Sequence, residues 1–265
     1  MSPVSATAPT GRRNDVGLLW HQIRYEQLSF WRNPQSAFFT FVFPVLIMVI
    51  FGAVFGGSSK GGDSFFYGLS GLQYYLPTIA ALSVLGACYS QLAIQLAFRR
   101  QSGILKRLRA TPLPAWTYFA GLVAHCVMIS IVEVALIIGI GALYGVPWPT
   151  HWTAIIVTLV LGAASFCSLG VAVASLIRNS EAAPAVVQFV LFPLVFISGT
   201  YFPIHSTVLN NIADVFPVRP FNEALIGPFA QHTGFDWNHL GVLLAWGVVG
   251  AIVAIRRFRW DPRPE

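Results

Sequence analysis

The sequence predicts an all-α integral membrane protein with six membrane-spanning helices. Of its 265 residues, 55% are hydrophobic and only 10% are charged, and the mean hydropathy is +0.66. A soluble domain carries about 25% charged residues. Six apolar stretches approach or exceed the roughly 20 residues that a helix needs to cross a bilayer. They are residues 37–55, 74–97, 116–144, 152–177, 185–202 and 240–255.

Two segments precede the first predicted span. Residues 1–14 are small and polar and include proline, a composition typical of a disordered tail. In residues 15–33, aromatic and aliphatic side chains such as Trp20 and Trp31 alternate with polar ones such as Arg24 and Glu26. This pattern predicts an amphipathic interfacial helix that lies on the membrane surface and does not cross it.

Residues 98–111, between the second and third predicted spans, form the most basic segment of the chain. Apolar residues at helical spacing alternate there with Lys and Arg, and Pro112 ends the pattern. We expect a short amphipathic helix at the membrane surface. The basic residues of the segment are Arg99, Arg100, Lys106, Arg107 and Arg109, and its apolar edge is Ile104, Leu105 and Leu108.

The distribution of positive charge predicts the orientation. The chain has 16 Lys and Arg residues, and all but Lys60 and Arg219 fall on segments that six spans would place on one side. Because Lys and Arg are enriched in cytoplasmic loops, that side is expected to be the cytoplasm. Both termini, including the tail at residues 257–265, are then cytoplasmic. The basic residues next to the spans also indicate contact with anionic lipids, and no nucleic-acid partner is expected.

The segment between the fifth and sixth predicted spans, residues 203–236, is broken by several prolines. Residues 208–216 and 221–229 are each long enough for only a short helix. Backbone at membrane depth must be hydrogen-bonded within helices or protein. We therefore favour two short re-entrant helices in the outer leaflet over the alternative, a structured external loop.

No motif for catalysis or nucleotide binding is present. The Gly-rich stretch at residues 56–62 lacks the G-x-x-x-x-G-K-[ST] order of a P-loop. The three cysteines, Cys88, Cys126 and Cys167, lie inside predicted spans, and no pair has the sequence spacing of metal ligands. The sequence thus predicts no catalytic residue, cofactor or metal site in this chain.

A few polar and aromatic residues within the spans are candidates for a pathway. Glu133 lies midway along the third span, where a charge costs about 2.5–3.5 kcal/mol. It is either a polar point on a substrate or proton path, or a protonated or hydrogen-bonded packing residue with Ser130, Ser165 or Ser168 as its partner. The other candidates, which matter only if their helices line a pathway, are Tyr89, Gln91, Gln188, Phe189, Phe192 and Phe196.

The order of these segments resembles the permease subunits of type-2 ABC exporters. The stretch GILKRLRATPLPAWTYFAG at residues 103–121 is very similar to the family's segment after the second span. FPLVFISGTYFPI at residues 192–204 and DVFPVRPFNEAL at residues 214–225 resemble its fifth-span ending and the segment that follows. FRRQSG, at residues 98–103, departs from the more acidic sequence often found before the basic helix.

The resemblance implies a type-2 ABC transmembrane domain over residues 34–256 and a bacterial plasma-membrane location. It implies two separately encoded ATPase subunits, which carry the ATP and Mg²⁺, and a second permease protomer, with a homodimer favoured over a pair of similar permeases. Residues 98–111 would be the coupling helix, contacting the ATPase through Gln101, Gly103, Ile104, Leu105, Lys106, Arg107, Leu108 and Arg109. A cavity between the second and fifth spans of the two protomers would receive a hydrophobic or amphipathic drug, lipid or glycolipid for export by alternating access.

Two other functions stay open at this point. A channel or carrier that works without an ATPase is disfavoured because paired intramembrane charges and a repeated half are both missing. A non-transporting membrane scaffold or sensor would use the basic segment to bind a regulator.

Overall fold

A computed structural model describes residues 15–55, 66, 68–201, 203–231 and 234–258. Over these residues the chain is helical, with no β-strand. The predicted tail at residues 1–14 and most of the tail at residues 257–265 lie outside the described residues. The helices are α1 (Asp15–Trp31), α2 (Pro34–Phe55), α3 (Gly71–Leu85), α4 (Leu92–Gln101), α5 (Ile104–Arg109), α6 (Ala115–Leu143), α7 (Trp152–Leu176), α8 (Ala183–Ile197), α9 (Thr207–Ala213), α10 (Val218–Ile226) and α11 (Trp237–Arg257).

Five of the six predicted spans form helices long and apolar enough to cross a membrane. They are α2, α6, α7, α11 and the continuous helix Gly71–Gln101, in which a π-helical turn, Gly86–Gln91, joins α3 to α4. The predicted span at residues 185–202 ends early, because Ser198 and Gly199 stop α8 and Gly199 has a positive φ of 78°. At 15 residues α8 is about 22 Å long, short of the roughly 30 Å hydrocarbon core.

The helices form a central layer and a periphery. In the most apolar windows of Gly71–Gln101 and α7, 72% and 61% of the residues are buried, against 22% in α2 and 17% in α11. The helix Gly71–Gln101 and α7 are therefore the centre of the bundle. Much of the surface of α2, α8 and α11 is apolar and exposed, as expected of helices that meet lipid or another protein.

Small residues allow the central helices to approach closely. A Cβ atom at Gly162 of α7 would lie 2.2 Å from the ring of Phe221 on α10. A Cβ atom at Gly170 would lie 3.0 Å from the backbone oxygen of Tyr89 in the π-helical turn. Glycine at these two positions thus brings α7 against both α10 and the turn.

The segment between α8 and α11 contains the two short helices that the sequence predicted, shifted by one to three residues. Helix α10 is almost wholly buried among α3, α7 and α11. Its Phe221 meets Gly162, the eleventh residue of α7, about 15 Å from the beginning of that helix. Helix α10 therefore reaches deep into the bundle.

The basic segment and the first helix lie together at one end of the bundle, which we call the basic end. The expected helix at residues 98–111 is in two parts, because α4 continues to Gln101 and the chain then turns through Gly103, whose φ is 72°. The short α5 follows this turn. Helix α1 packs along α6, with Gln22, Glu26 and Phe30 facing inward.

Candidate functional site

A cleft of about 550 Å³ lies between α2, α8 and the helix Gly71–Gln101, which we call the central helix. Its walls are mostly apolar and aromatic, and its polar groups are few. Four of the residues singled out in the sequence line it, namely Gln91, Glu133, Gln188 and Phe192. The structure thus brings together residues that are far apart in the chain, in a cleft large enough for a small organic molecule.

Glu133 is the acidic residue of this cleft. Its side chain is only 3% exposed, and its Oε2 atom has no hydrogen-bond partner in the described part of the chain. The three serines that sequence reasoning offered as partners bond elsewhere. Ser130 pairs with Cys88 (3.3 Å), Ser165 donates to the Leu243 carbonyl (2.9 Å), and Ser168 donates to the Ala164 carbonyl (2.9 Å).

Gln91 is held in place from the first span. Its Nε2 atom donates a hydrogen bond of 2.7 Å to Thr40 Oγ1, and the Thr40 hydroxyl donates to the Ser36 carbonyl at 2.9 Å. Thr40 also lines the cleft. The pair fixes the amide of Gln91 on the π-helical turn, so that its polar group is oriented in an apolar wall.

Three of the predicted pathway residues lie elsewhere. Tyr89 is buried on another side of the π-helical turn, and its hydroxyl has no partner among the described residues. Phe189 is 80% exposed on the surface of α8. Phe196 is also exposed and packs against Tyr201, with ring centroids 5.1 Å apart. The aromatic stripe on α8 therefore divides, and only Phe192 lines the cleft.

Sequence reasoning missed the contribution of the first span to the cleft. Phe39 and Phe43 line it from α2, and Ser83 and Ser90 line it from the central helix. Small polar residues inside apolar spans were the available signal, since Thr40, Ser83 and Ser90 are three such residues. Nothing in the sequence distinguishes Phe39 from its neighbour Phe38, which does not line the cleft.

Helix α5 presents both a buried and an exposed edge. Leu105 is completely buried and Leu108 packs against the core, whereas Ile104 is 49% exposed. Lys106, Arg107 and Arg109 are exposed as well. The expected apolar edge is thus split, because two of its members hold α5 on the bundle and the third lies on the surface.

The residues before α5 bind to neighbouring helices. Arg100, only 3% exposed, donates to the carbonyls of Ala174 (3.0 Å) and Ile177 at the end of α7. Such a cation satisfies carbonyls left unpaired at a helix C-terminus. The Gln101 side-chain oxygen accepts from the Ser180 backbone N–H at 2.8 Å, in the loop before α8. Gln101, expected to contact an ATPase, has an internal partner here.

A buried ion pair joins α1 to the central helix. The two terminal guanidinium nitrogens of Arg99 contact the Glu26 carboxylate, at 2.9 and 2.7 Å, and Glu26 is 2% exposed. Gln22 donates to the same carboxylate at 2.9 Å, and Arg99 also donates to Tyr118 at 3.1 Å. The sequence suggested a surface position for both charges, because an amphipathic helix and a basic segment each look solvent-facing when read alone.

The opposite end of the bundle has its own charged cluster, around Arg219. This arginine contacts Asp214 at 2.8 Å and Glu223 at 3.5 Å, and it donates to Asn210 Oδ1 at 2.5 Å. Burial raises the pKa of Glu223, and the nearby charges of Arg219 and His239 oppose that rise. Tyr74 and Tyr75 of α3 donate to the carbonyls of Gly199 (2.6 Å) and Tyr201 (3.0 Å), which holds the chain after α8.

These features define a class of protein. A bundle of long apolar helices, a cleft with a few oriented polar groups and a basic surface helix tied to the helices of the cleft are the parts of a membrane transport protein. The family model of the ABC-2 type transporter matches residues 18–229 of this chain. The chain belongs to that family.

Curated relatives agree with the family match. The Escherichia coli K12 protein named "Probable multidrug ABC transporter permease YbhR" is 22% identical over 191 residues, which are 70% of this chain and 52% of the relative. The E. coli K12 "Inner membrane transport permease YadH" is 28% identical over 166 residues, 62% of this chain and 64% of the relative. The matches thus span between about half and two thirds of these relatives.

Proposed function

We propose that this chain is the membrane-spanning permease of an ATP-driven ABC exporter and that it moves a hydrophobic or amphipathic substrate by alternating access. The observation that carries the proposal is the aromatic cleft with Glu133 and Gln91 in its wall, within a chain of the ABC-2 family. Its relatives include a protein named as a multidrug permease.

The cleft favours a molecule with a large apolar part and a small polar group. Phe39, Phe43 and Phe192 supply aromatic surface, and the polar groups are confined to a few side chains. An ion or a free sugar would leave that apolar surface unused and would find too few hydrogen-bond partners. A drug, lipid or glycolipid with one polar group near Glu133 uses both parts of the cleft.

The ATPase contact is assigned to α5. A helix of six residues with exposed Ile104, Lys106 and Arg107 offers an apolar anchor ringed by positive charge. Such a surface suits an acidic groove on a soluble subunit. We assign ATP and Mg²⁺ to two copies of that separately encoded subunit, and this chain supplies the surface on which they act.

The contacts around α5 carry its movement to the cleft. Helix α5 follows directly on α4, which continues into the π-helical turn that holds Gln91. Arg100 and Gln101 bind the end of α7 and the loop before α8. A tilt of α5 therefore acts on two walls of the cleft together, as alternating access requires.

A second permease protomer completes the assembly, and we favour a homodimer. The exposed apolar surface of α8, with Phe189 80% exposed, suits contact with a like helix as well as with lipid. We place the protein in a plasma membrane, with the basic end and both termini in the cytoplasm, as the distribution of Lys and Arg favours. Helices α9 and α10 are then re-entrant from the outside, and the depth of Phe221 along α7 supports this placement.

The test compares two adjacent phenylalanines of α2. Phe38 and Phe39 are 58% and 61% exposed, but only Phe39 lines the cleft. Everted vesicles containing the permease and its ATPase are assayed for ATP-dependent uptake of a panel of fluorescent amphiphiles. Phe39→Ala is expected to reduce uptake and Phe38→Ala to leave it unchanged. Equal uptake by both variants, or no ATP-dependent uptake of any amphiphile, would contradict the proposal.

A further inference from the structure

The three cysteines of the chain meet in the centre of the bundle. Cys88 lies on the π-helical turn, Cys126 on α6 and Cys167 on α7. Their Sγ atoms all lie within 4.8 Å of one another, and each residue is at most 5% exposed. Sequence spacing gave no indication of a metal-ligand set, because each thiol comes from a different helix.

The backbone is arranged to bring these thiols together. A π-helical turn interrupts the central helix at Gly86–Gln91, and such turns occur frequently at functional sites. Gly170, one turn beyond Cys167, lets α7 approach the turn so closely that an added Cβ atom would lie 3.2 Å from the Cys88 carbonyl oxygen. Two local features thus place Cys88 and Cys167 side by side.

The spacing fits a single atom bound by three sulfurs. A centre about 2.3 Å from each sulfur, the usual zinc–thiolate length, requires sulfurs about 4.0 Å apart in a flat arrangement and about 3.4 Å apart in the pyramidal arrangement that a lone pair on the centre imposes. The observed limit of 4.8 Å is about 0.8 Å above the flat value and about 1.4 Å above the pyramidal one. Side-chain rotation alone can close such a difference.

The net charge of the complex determines which thiolate-binding ion or metalloid suits the site. Thiolates select soft ions, but three thiolates around a monovalent or divalent ion leave a net negative charge, which is costly between membrane spans. A trivalent metalloid leaves none. We propose that Cys88, Cys126 and Cys167 bind a trivalent thiophilic metalloid, arsenic(III) or antimony(III), as a neutral three-thiolate complex.

The chemistry balances without an oxidant. Arsenous acid, As(OH)₃, is itself uncharged, and it reacts with three thiols to give As(SR)₃ and three waters. Each step forms one As–S bond and breaks one As–O bond, and the thiol proton leaves with the hydroxide as water. Arsenic stays in the trivalent state throughout.

A second cleft borders the site on another side of the bundle. This cleft of about 470 Å³, between α6, α7 and α11, has Cys167 and Ser168 in its wall. The π-helical turn that carries Cys88 also carries Gly86, Ser90 and Gln91 of the substrate cleft. A bound metalloid would therefore join three helices next to that cleft and restrict their movement.

The test needs no removal of other thiols, because these are the only cysteines in the chain. Reduced full-length protein in nanodiscs is incubated with arsenite, and its intact mass and thermal unfolding midpoint are measured. The wild type is expected to gain one arsenic, to lose three hydrogens and to unfold at a higher temperature. It should also lose maleimide labelling of all three cysteines after denaturation.

Matched variants separate a three-thiol site from unspecific binding. Cys88→Ser, Cys126→Ser and Cys167→Ser should each abolish the stable arsenic adduct, and Ser130→Ala, beside Cys88 but with all three thiols retained, should keep it. No adduct on the wild type, or an equally stable adduct on a two-thiol variant, would overturn the proposal. This result is independent of the transport assay, so the failure of one inference leaves the other standing.

Discussion

Two neighbouring residues of α5 allow ATPase coupling to be measured separately from folding. Ile104 is 49% exposed, whereas Leu105 is completely buried in the core. Ile104 is also the first residue of α5, where an acidic side chain is favourable to the helix dipole. Ile104→Asp is therefore expected to change the free energy of unfolding by less than about 1 kcal/mol.

The same change should strongly weaken contact with the ATPase. Removing an apolar residue from the centre of a docking surface reduces the binding free energy by about 2 kcal/mol, which corresponds to roughly thirtyfold weaker binding. Leu105→Ala should behave in the opposite manner. It removes a buried side chain and should lower the free energy of unfolding by about 2–5 kcal/mol.

The assay measures both quantities on the same preparation. The permease is reconstituted in nanodiscs, and the affinity of the ATPase subunit and the thermal unfolding midpoint are recorded. Ile104→Asp should weaken binding with an unchanged midpoint, and Leu105→Ala should lower the midpoint. Thr111→Asp, an exposed change of charge just beyond α5, serves as the control for added negative charge. The assignment of α5 to the ATPase contact would be refuted if Ile104→Asp bound the ATPase as tightly as the wild type does. It would also be refuted if both variants lowered the unfolding midpoint by the same amount.

Three further predictions concern stability, measured as the thermal unfolding midpoint. Arg99→Gln alone should lower the free energy of unfolding by about 3–5 kcal/mol, because it leaves the buried carboxylate of Glu26 without its cation. Glu26→Gln should lower it by less, because the Arg99 side chain is 19% exposed, and the double variant should recover much of the Arg99→Gln loss. Gly162→Ala should lower the free energy of unfolding by about 1–3 kcal/mol, because the added methyl group overpacks against the buried ring of Phe221. Gly139→Ala, at a position with open space around it, should leave the free energy of unfolding unchanged or raise it. Burial raises the pKa of Glu223, so the protonated carboxyl favours the folded state. The free energy of unfolding should therefore fall as pH rises from about 4.3 through the raised pKa. Glu223→Gln should flatten this fall, and a pH profile unchanged by the substitution would contradict the prediction.

The sequence predicted the long spans well because apolar length alone determines them. It overestimated the fifth span, since residues 185–202 are mostly apolar while the conformation of Gly199 ends α8 at Ile197. Gly199 indicates the end of α8 only in combination with Ser198, whose hydroxyl donates to the Val195 carbonyl at 2.7 Å. The short helices α9 and α10 were predictable from the prolines around them.

Pairings across the bundle were beyond sequence patterns. Periodicity places Phe189, Phe192 and Phe196 on one stripe, but only packing decides that Phe192 lines the cleft. Likewise, Glu26 and Arg99 are 73 positions apart, and each belongs to a segment that looks amphipathic on its own. A single sequence predicts which face of each helix is apolar, but a site depends on which of those faces pack together.

In the proposed function, the central helix connects α5, where the ATPase would bind, to the cleft. From Gly71 to Gln101 it has 31 residues, which corresponds to about 46 Å of α-helix. Its last residues bind α7 and the loop before α8, and its π-helical turn carries Gln91 into the cleft. A π-helical turn is a weak point in a helix, because it disturbs the regular backbone hydrogen bonds. In the proposed mechanism, force applied at α5 would therefore bend this helix most readily beside Gln91, and the turn is where we expect the cleft to change shape.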